Sequence, residues 1–179
     1  MEERIGEAFA GTEQFTVIGI QLQRGDAAPD FRLDYLDLAD QAIRTVGLAD
    51  SAGMVRLLSV VNSLERPLCQ LVTQQWEALC AALPATACIY TVSVDSPQIQ
   101  ASFQDSAGVL HQALSAELSE QFGQDYGVWL KEWRLFQRAV FVIDRYDRIA
   151  YAEYVADQLR EPDYAAALQA VRQAAMEGH

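Results

Sequence analysis

The sequence predicts a single α/β domain in which a βαβ unit is followed by a ββα unit, and three observations carry that expectation. Apolar runs at residues 55–61 and 88–94 flank a stretch whose apolar side chains recur at helical spacing. Two more apolar runs, 138–143 and 149–155, are separated by the polar turn Asp144-Arg145-Tyr146-Asp147 and followed by another helical pattern. The length, 179 residues, suits one domain, which at this size buries roughly 70% of its unfolded surface without a disulfide or metal as a staple.

Each element can be justified in order. Residues 1–12 read as a loose tail and 13–179 as the domain. Residues 15–22 read as a strand followed by a turn at Gly25-Asp26, and 31–38 make a weaker strand. The run 55–61 is of the kind expected in a buried central strand. Leu68, Leu71, Val72, Trp76, Leu79, Cys80 and Leu83 then form one helical stripe. Pro67 suits its first turn, where the missing N–H is not needed, and Pro84 marks its exit. Strand, helix and strand within about forty residues imply parallel pairing and a right-handed crossover. A shorter helix follows Pro97 and another covers 114–122; then come the antiparallel hairpin and a last helix opening near Pro162, with Tyr164, Ala167, Leu168 and Val171 on one face. This order is that of the thioredoxin core. A doubly wound parallel sheet would need another strand–helix alternation where the hairpin sits.

A net charge of -12 disfavours nucleic acid and anionic membranes, both polyanions, as partners. No run of about 18 apolar residues is long enough to span a bilayer. Residues 1–7 are acidic and lack an apolar core, unlike a secretory signal, and the three cysteines form no CxxC pair; both point to free thiols in a reducing cytoplasm.

The reactive candidates are few. Cys69 falls in the first turn of the long helix, just past the C-terminal end of a central strand, where reactive groups of open α/β sheets gather. Free N–H groups and the helix dipole favour a thiolate there. The competing reading is a small apolar residue at the edge of the stripe, one heptad before Trp76. Cys80 and Cys88 read as core residues. Cys69 and Cys80 are eleven positions apart on one helix, roughly 16 Å along the axis, against a disulfide limit of about 7 Å between Cα atoms. His111 and His179 are isolated in the sequence, so no metal site is expected, and no glycine-rich phosphate loop is present. Ser59, Ser63 and Ser93 lack a GxSxG setting and a histidine base. Arg138 interrupts an apolar strand, so it sits either on a solvated position or beside a charge inside the domain.

At these residues the chain resembles the thiol peroxidases, the atypical two-cysteine peroxiredoxins, from about residue 14 to 174. The motifs that carry the resemblance are Gly25-Asp26-Ala27-Ala28-Pro29-Asp30-Phe31, the stretch from Ser59 through Asn62-Ser63-Leu64-Glu65-Arg66-Pro67-Leu68-Cys69, and Tyr90 through Asp95-Ser96-Pro97. Tyr126-Gly127-Val128, Glu132-Trp133-Arg134-Leu135, Arg138 through Asp144 and Glu161-Pro162-Asp163-Tyr164 continue it. The resemblance implies a thioredoxin-like fold with an N-terminal β-hairpin, a homodimer, no cofactor, and reduction of hydrogen peroxide or alkyl hydroperoxides. It places the peroxide-attacking cysteine at Cys69 and the active-site arginine at Arg138. Three departures stand beside the matches. Asn62 replaces the proline that opens the family's active-site loop. Arg66 stands where the family keeps threonine or serine; it has no acceptor oxygen, but its charge could stabilise a thiolate. Phe103 is followed by Gln104 rather than the resolving cysteine, so turnover calls for an external thiol such as thioredoxin. The alternative these departures raise is a paralogue that keeps the fold and serves as a binding or redox-sensing protein.

Overall fold

A computed structural model describes residues 1–177; His179 lies outside the described residues. Elements in chain order are β1 (Glu3–Ala10), β2 (Glu13–Ile18), β3 (Arg32–Asp37), β4 (Ala42–Gly47), β5 (Val55–Val60), α1 (Pro67–Leu79), β6 (Ala87–Ser93) and α2 (Pro97–Ala107). They continue with β7 (Gln112–Ser115), α3 (Glu120–Asp125), β8 (Trp129–Leu130), β9 (Leu135–Phe136), β10 (Ala139–Ile143), β11 (Ile149–Tyr154) and α4 (Tyr164–Met176). A seven-stranded sheet runs β11-β10-β5-β6-β7-β3-β4, and a four-stranded sheet runs β1-β2-β8-β9.

The central strands explain the architecture. β5 pairs in parallel with β6 and antiparallel with β10, so it has a neighbour on each edge and a buried face on each side. Alternate residues of β10 serve opposite layers: Val140 and Val142 face one cluster, and Ala139, Phe141 and Ile143 the other. That is why these strands read as continuous apolar runs rather than alternating ones. On the first side α1 and α4 cover the sheet with Val72, Trp76, Leu168 and Val171. The Trp76 and Tyr164 rings, 4.9 Å apart and edge-on, join the two helices. On the other side Phe122, Tyr126 and Phe136 pack on Leu58, Val60 and Phe141. Among the described residues, no helix is long and apolar enough to cross a membrane.

Three expectations need correction. Residues 1–12 are not a loose tail, because β1 pairs antiparallel with β2 from Glu3↔Ile18 to Ala10↔Glu13. Its inward positions are Arg4 and Ala8, whereas Ile5 is 77% exposed, so apolar alternation could not reveal it. Arg4 is held instead by polar bonds: Nε donates to Gly19 O at 3.0 Å and Nη2 donates to Gly127 O. The two glycines are required where these segments cross. Both have positive φ, and a Cβ at Gly19 would lie 2.3 Å from Gln124 O, one at Gly127 2.4 Å from Ile20 O.

The helix expected over 114–122 is also replaced. Residues Gln112–Ser115 form β7, parallel to β6, and the helix is the short α3 further on. Leu114 is fully buried in the sheet while Leu118 is 86% exposed, so the two do not share a helical face. A four-residue strand is too short to show a period of its own. Finally, the inward stripe of α1 is rotated: Cys69, Val72, Thr73 and Trp76 are buried, whereas Leu71 is 41% exposed.

Candidate active site

The turn between β5 and α1 is fixed before its cysteine is placed. Val61 N donates to Val92 O at 3.0 Å, continuing the β5–β6 ladder by one step. The buried Asp95 carboxylate, just past the end of β6, accepts from Ser63 Oγ at 2.7 Å, Leu64 N at 2.7 Å and Ser93 Oγ at 2.6 Å. Two charge-assisted bonds, from Ser63 and Leu64, thus tie the loop to the end of β6, and the third, from Ser93, fixes the carboxylate that receives them. Arg66 is the N-cap residue of α1 and offers no side-chain cap, with Pro67 opening the helix. Cys69 therefore sits in a first turn whose free N–H groups carry the positive end of the helix dipole.

Cys69 is 0% exposed, yet hydrocarbon does not surround its sulfur completely. Arg138, immediately before β10 and 1% exposed, donates from Nη2 to Cys69 Sγ at 3.3 Å. The open question about Arg138 is thereby answered: its charge serves the interior. The same Nη2 donates to Asn62 Oδ1 at 3.3 Å, and Nη1 donates to Gln158 O at 2.9 Å. Gln158 Oε1 accepts from Arg138 N at 2.8 Å and from Asn62 Nδ2 at 3.1 Å. Asn62 Nδ2 also donates to Phe136 O at 2.6 Å, and the Cys69 thiol faces Asn62 Oδ1 at 3.8 Å. The site is a closed polar knot of Cys69, Arg138, Asn62 and Gln158 inside an apolar shell.

Cys69 and Arg138 are thus brought together as expected; Arg66 is not. Its guanidinium lies over the Trp133 ring, 4.0 Å from the centroid, and Trp133 in turn packs on Phe15 at 4.3 Å. A charge stacked there and partly solvated contributes to the loop's attachment rather than to the sulfur. Two members of the knot went unmarked as site residues. Asn62 stood out only as a departure from a family pattern. Gln158 gave no local signal, since a glutamine in a polar loop is ordinary until the fold brings it beside a residue ninety-six positions earlier.

Cys80 and Cys88 lie elsewhere, and all three cysteines are free. Burial pushes the Cys80 thiol up, with the Glu77 charge adding to it. Burial also pushes Cys88 up, only partly offset by Tyr90 and Arg56. His111, isolated in sequence, is brought to Glu77 and Cys80, their ligand-type atoms lying within 4.8 Å of one another. These groups could hold a metal in principle, but they are engaged with each other. Glu77 Oε1 meets His111 Nδ1 at 2.9 Å and accepts from Leu110 N and His111 N, while His111 Nε2 lies 2.8 Å from Thr91 Oγ1. With both ring nitrogens occupied, the cluster locks the turn before β7.

The chain is similar to known proteins in both sequence and fold. The AhpC/TSA family model matches residues 24–152. A thiol peroxidase of Halalkalibacterium halodurans is 40% identical over 161 residues, covering 89% of this chain and 93% of that protein. A thiol peroxidase of Streptococcus sanguinis is 39% identical over 158 residues, covering 88% and 93%. Among solved structures, a peroxiredoxin-like protein from Aquifex aeolicus superposes with a TM-score of 0.83 at 24% identity, covering 96% of this chain and 99% of that one. A thiol peroxidase from Chromobacterium violaceum superposes at 0.81 with 20% identity, covering 96% and 98%. At these identities the structural matches speak for the thioredoxin-like fold.

Proposed function

The chain belongs to the AhpC/TSA family, and from that premise we propose that it is a thiol-dependent peroxidase reducing hydrogen peroxide or alkyl hydroperoxides at Cys69. The observation that carries this reading is the 3.3 Å approach of Arg138 Nη2 to Cys69 Sγ at the start of α1. A guanidinium and a helix N-terminus both favour a sulfur anion, which is the nucleophile.

The sulfur attacks one peroxide oxygen along the O–O axis. The S–O bond forms as the O–O bond breaks; the sulfur loses two electrons and the departing oxygen gains them. That oxygen leaves as alkoxide or hydroxide, steadied by Arg138, and takes up the proton the thiol gave away. The products are a sulfenic acid at Cys69 and an alcohol or water. An external thiol then attacks the sulfenic acid, releasing water and forming a mixed disulfide, and a second thiol restores Cys69. An external reductant such as thioredoxin is required because Phe103 is followed by Gln104, and Cys80 and Cys88 lie away from the site, around the far end of α1. The resemblance to thiol peroxidases further supports a homodimer acting in the cytoplasm.

The test is stoichiometric oxidation at pH 7 followed by intact-mass measurement. One added oxygen at Cys69, captured by dimedone and absent in Cys69→Ser, supports the reading. Oxidation no faster than that of free cysteine removes it.

A further inference from the structure

Arg138 has five N–H donors, and their disposition shows where a peroxide oxygen must go. Nη1 is committed to Gln158 O. Nη2 faces the sulfur, and Nε is buried with no hydrogen-bond partner among the described residues. An oxygen lined up for attack by Cys69 has to lie against the sulfur-facing edge of this guanidinium. That place is already taken: Asn62 Oδ1 lies 3.3 Å from Nη2 and 3.8 Å from Sγ.

We propose that Asn62 is an intramolecular plug, its carboxamide oxygen occupying the peroxide-oxygen position on Arg138, so that the Asn62 side chain must swing aside before Cys69 can react. The inference rests on the peroxidase reading above and concerns the gate to that same site. The orientation of the carboxamide follows from its partners. Nδ2 donates to Phe136 O at 2.6 Å and to Gln158 Oε1 at 3.1 Å, and a flipped amide would set its oxygen against both of those acceptors. Oδ1 therefore points at the thiol, where it can accept from S–H and offers nothing to a sulfur anion. Asn62, Cys69, Arg138 and Gln158 are all buried and Cys69 is 0% exposed, so a peroxide does not reach the sulfur from solvent without movement. Opening gives up the long Nη2 contact together with both Nδ2 contacts, so all three hold the plug in place.

The test is quenched-flow measurement of Cys69 sulfenic acid, trapped with dimedone, over a range of hydrogen peroxide concentrations. Wild type, Asn62→Ala and Gln158→Ala are compared, with thermal melts to establish folding. In the wild type the observed rate should level off at high peroxide, because side-chain opening becomes limiting. In Asn62→Ala it should stay linear and exceed the wild type by at least about tenfold at low peroxide, because opening gives up at least the equivalent of one hydrogen bond to a charged group. Gln158→Ala removes one Nδ2 anchor but keeps the backbone oxygen that holds Nη1, so it should fall between the two. A folded Asn62→Ala no faster than wild type, together with a wild-type rate that never levels off, overturns the plug and leaves the peroxidase reading standing. If wild type and both variants react no faster than free cysteine, the peroxidase reading fails and the plug with it. Should Asn62→Ala not fold, the shape of the wild-type curve and the Gln158→Ala rate decide: a linear curve and an unchanged rate overturn the plug.

Discussion

Replacing Arg138 with methionine separates the chemical role of this residue from its structural one. Methionine keeps much of the volume and removes the charge. The lost interaction is the Nη2 bond to Cys69 Sγ at 3.3 Å, a hydrogen bond from an ionised donor in a site with no exposed surface. Such a bond contributes about 1.5–3 kcal/mol, and each ~1.4 kcal/mol is tenfold in rate, so oxidation of Cys69 should slow by roughly ten- to a hundredfold. Stability should respond differently. Among the described residues no carboxylate lies within ion-pair distance of Arg138, and its Nε is buried without a partner, so the native chain bears the desolvation of an unpaired cation. Removing that charge offsets the loss of acceptor partners at Gln158 O and Asn62 Oδ1, each of which costs about 1–3 kcal/mol when orphaned. The melting temperature should therefore move by only a few degrees, at about 2–4 °C per kcal/mol for a chain of this size. Quenched-flow oxidation at pH 7 gives the rate and calorimetry the melting temperature. A rate within twofold of wild type refutes the reasoning; so does a rate loss accompanied by collapse of the fold.

Other consequences can be checked with the same assays. Arg66→Ala removes a cation–π contact to Trp133 worth about 0.5–1 kcal/mol and should leave Cys69 oxidation within about twofold; a large rate loss would restore Arg66 to the site. Asp95→Ala orphans Leu64 N and two serine hydroxyls, so it should destabilise by about 2–4 kcal/mol in urea titrations and slow oxidation by loosening the loop; an unchanged rate would show that α1 alone positions Cys69. Acid sensitivity should come from the Glu77–His111 pair. Burial pushes His111 below its ordinary 6.5, and Glu77, although burial works against its charge, is held low by hydrogen bonds from His111 and Leu110. Groups with lowered folded values bind protons more readily when unfolded, so their contribution is present above the unfolded values and lost as pH falls. Stability should decline from about pH 6.5 downward, more steeply than in His111→Asn; parallel unfolding curves from pH 7.5 to 5 would contradict this.

How legible the molecule is in its sequence depends on where each element's burial comes from. β5, β6 and β10 could be read because buried central strands are apolar on consecutive residues, β11 because a polar turn sets it off from β10 as the second arm of a hairpin, and α4 because Ala167, Leu168 and Val171 repeat on one face. β1 escaped because a buried arginine and a small alanine fill its inward positions. β8 and β9, two residues each, carry no period at all. In the site, Cys69 and Arg138 were visible as a cysteine at a helix start and an arginine in an apolar run. The direction of a long side chain is not written in residue order, so Arg66 could be read as a candidate to stabilise the thiolate but not placed, and it lies on an indole. The Asn62–Gln158 bond joins segments brought together by packing around Phe136, and no local pattern announces it.

The stack of Arg66 on Trp133 carries a practical consequence. Of the chain's three tryptophans, Trp76 is sealed between α1 and α4 and the partly buried Trp129 packs on Phe136, so each reports on the packing around it. Trp133 alone leans on the segment that leads into the reactive helix, with a cation against its face. Any displacement of that segment changes the electric field on a single indole. The protein thus contains its own fluorescent probe, whose emission should shift when the loop moves, without a label being attached.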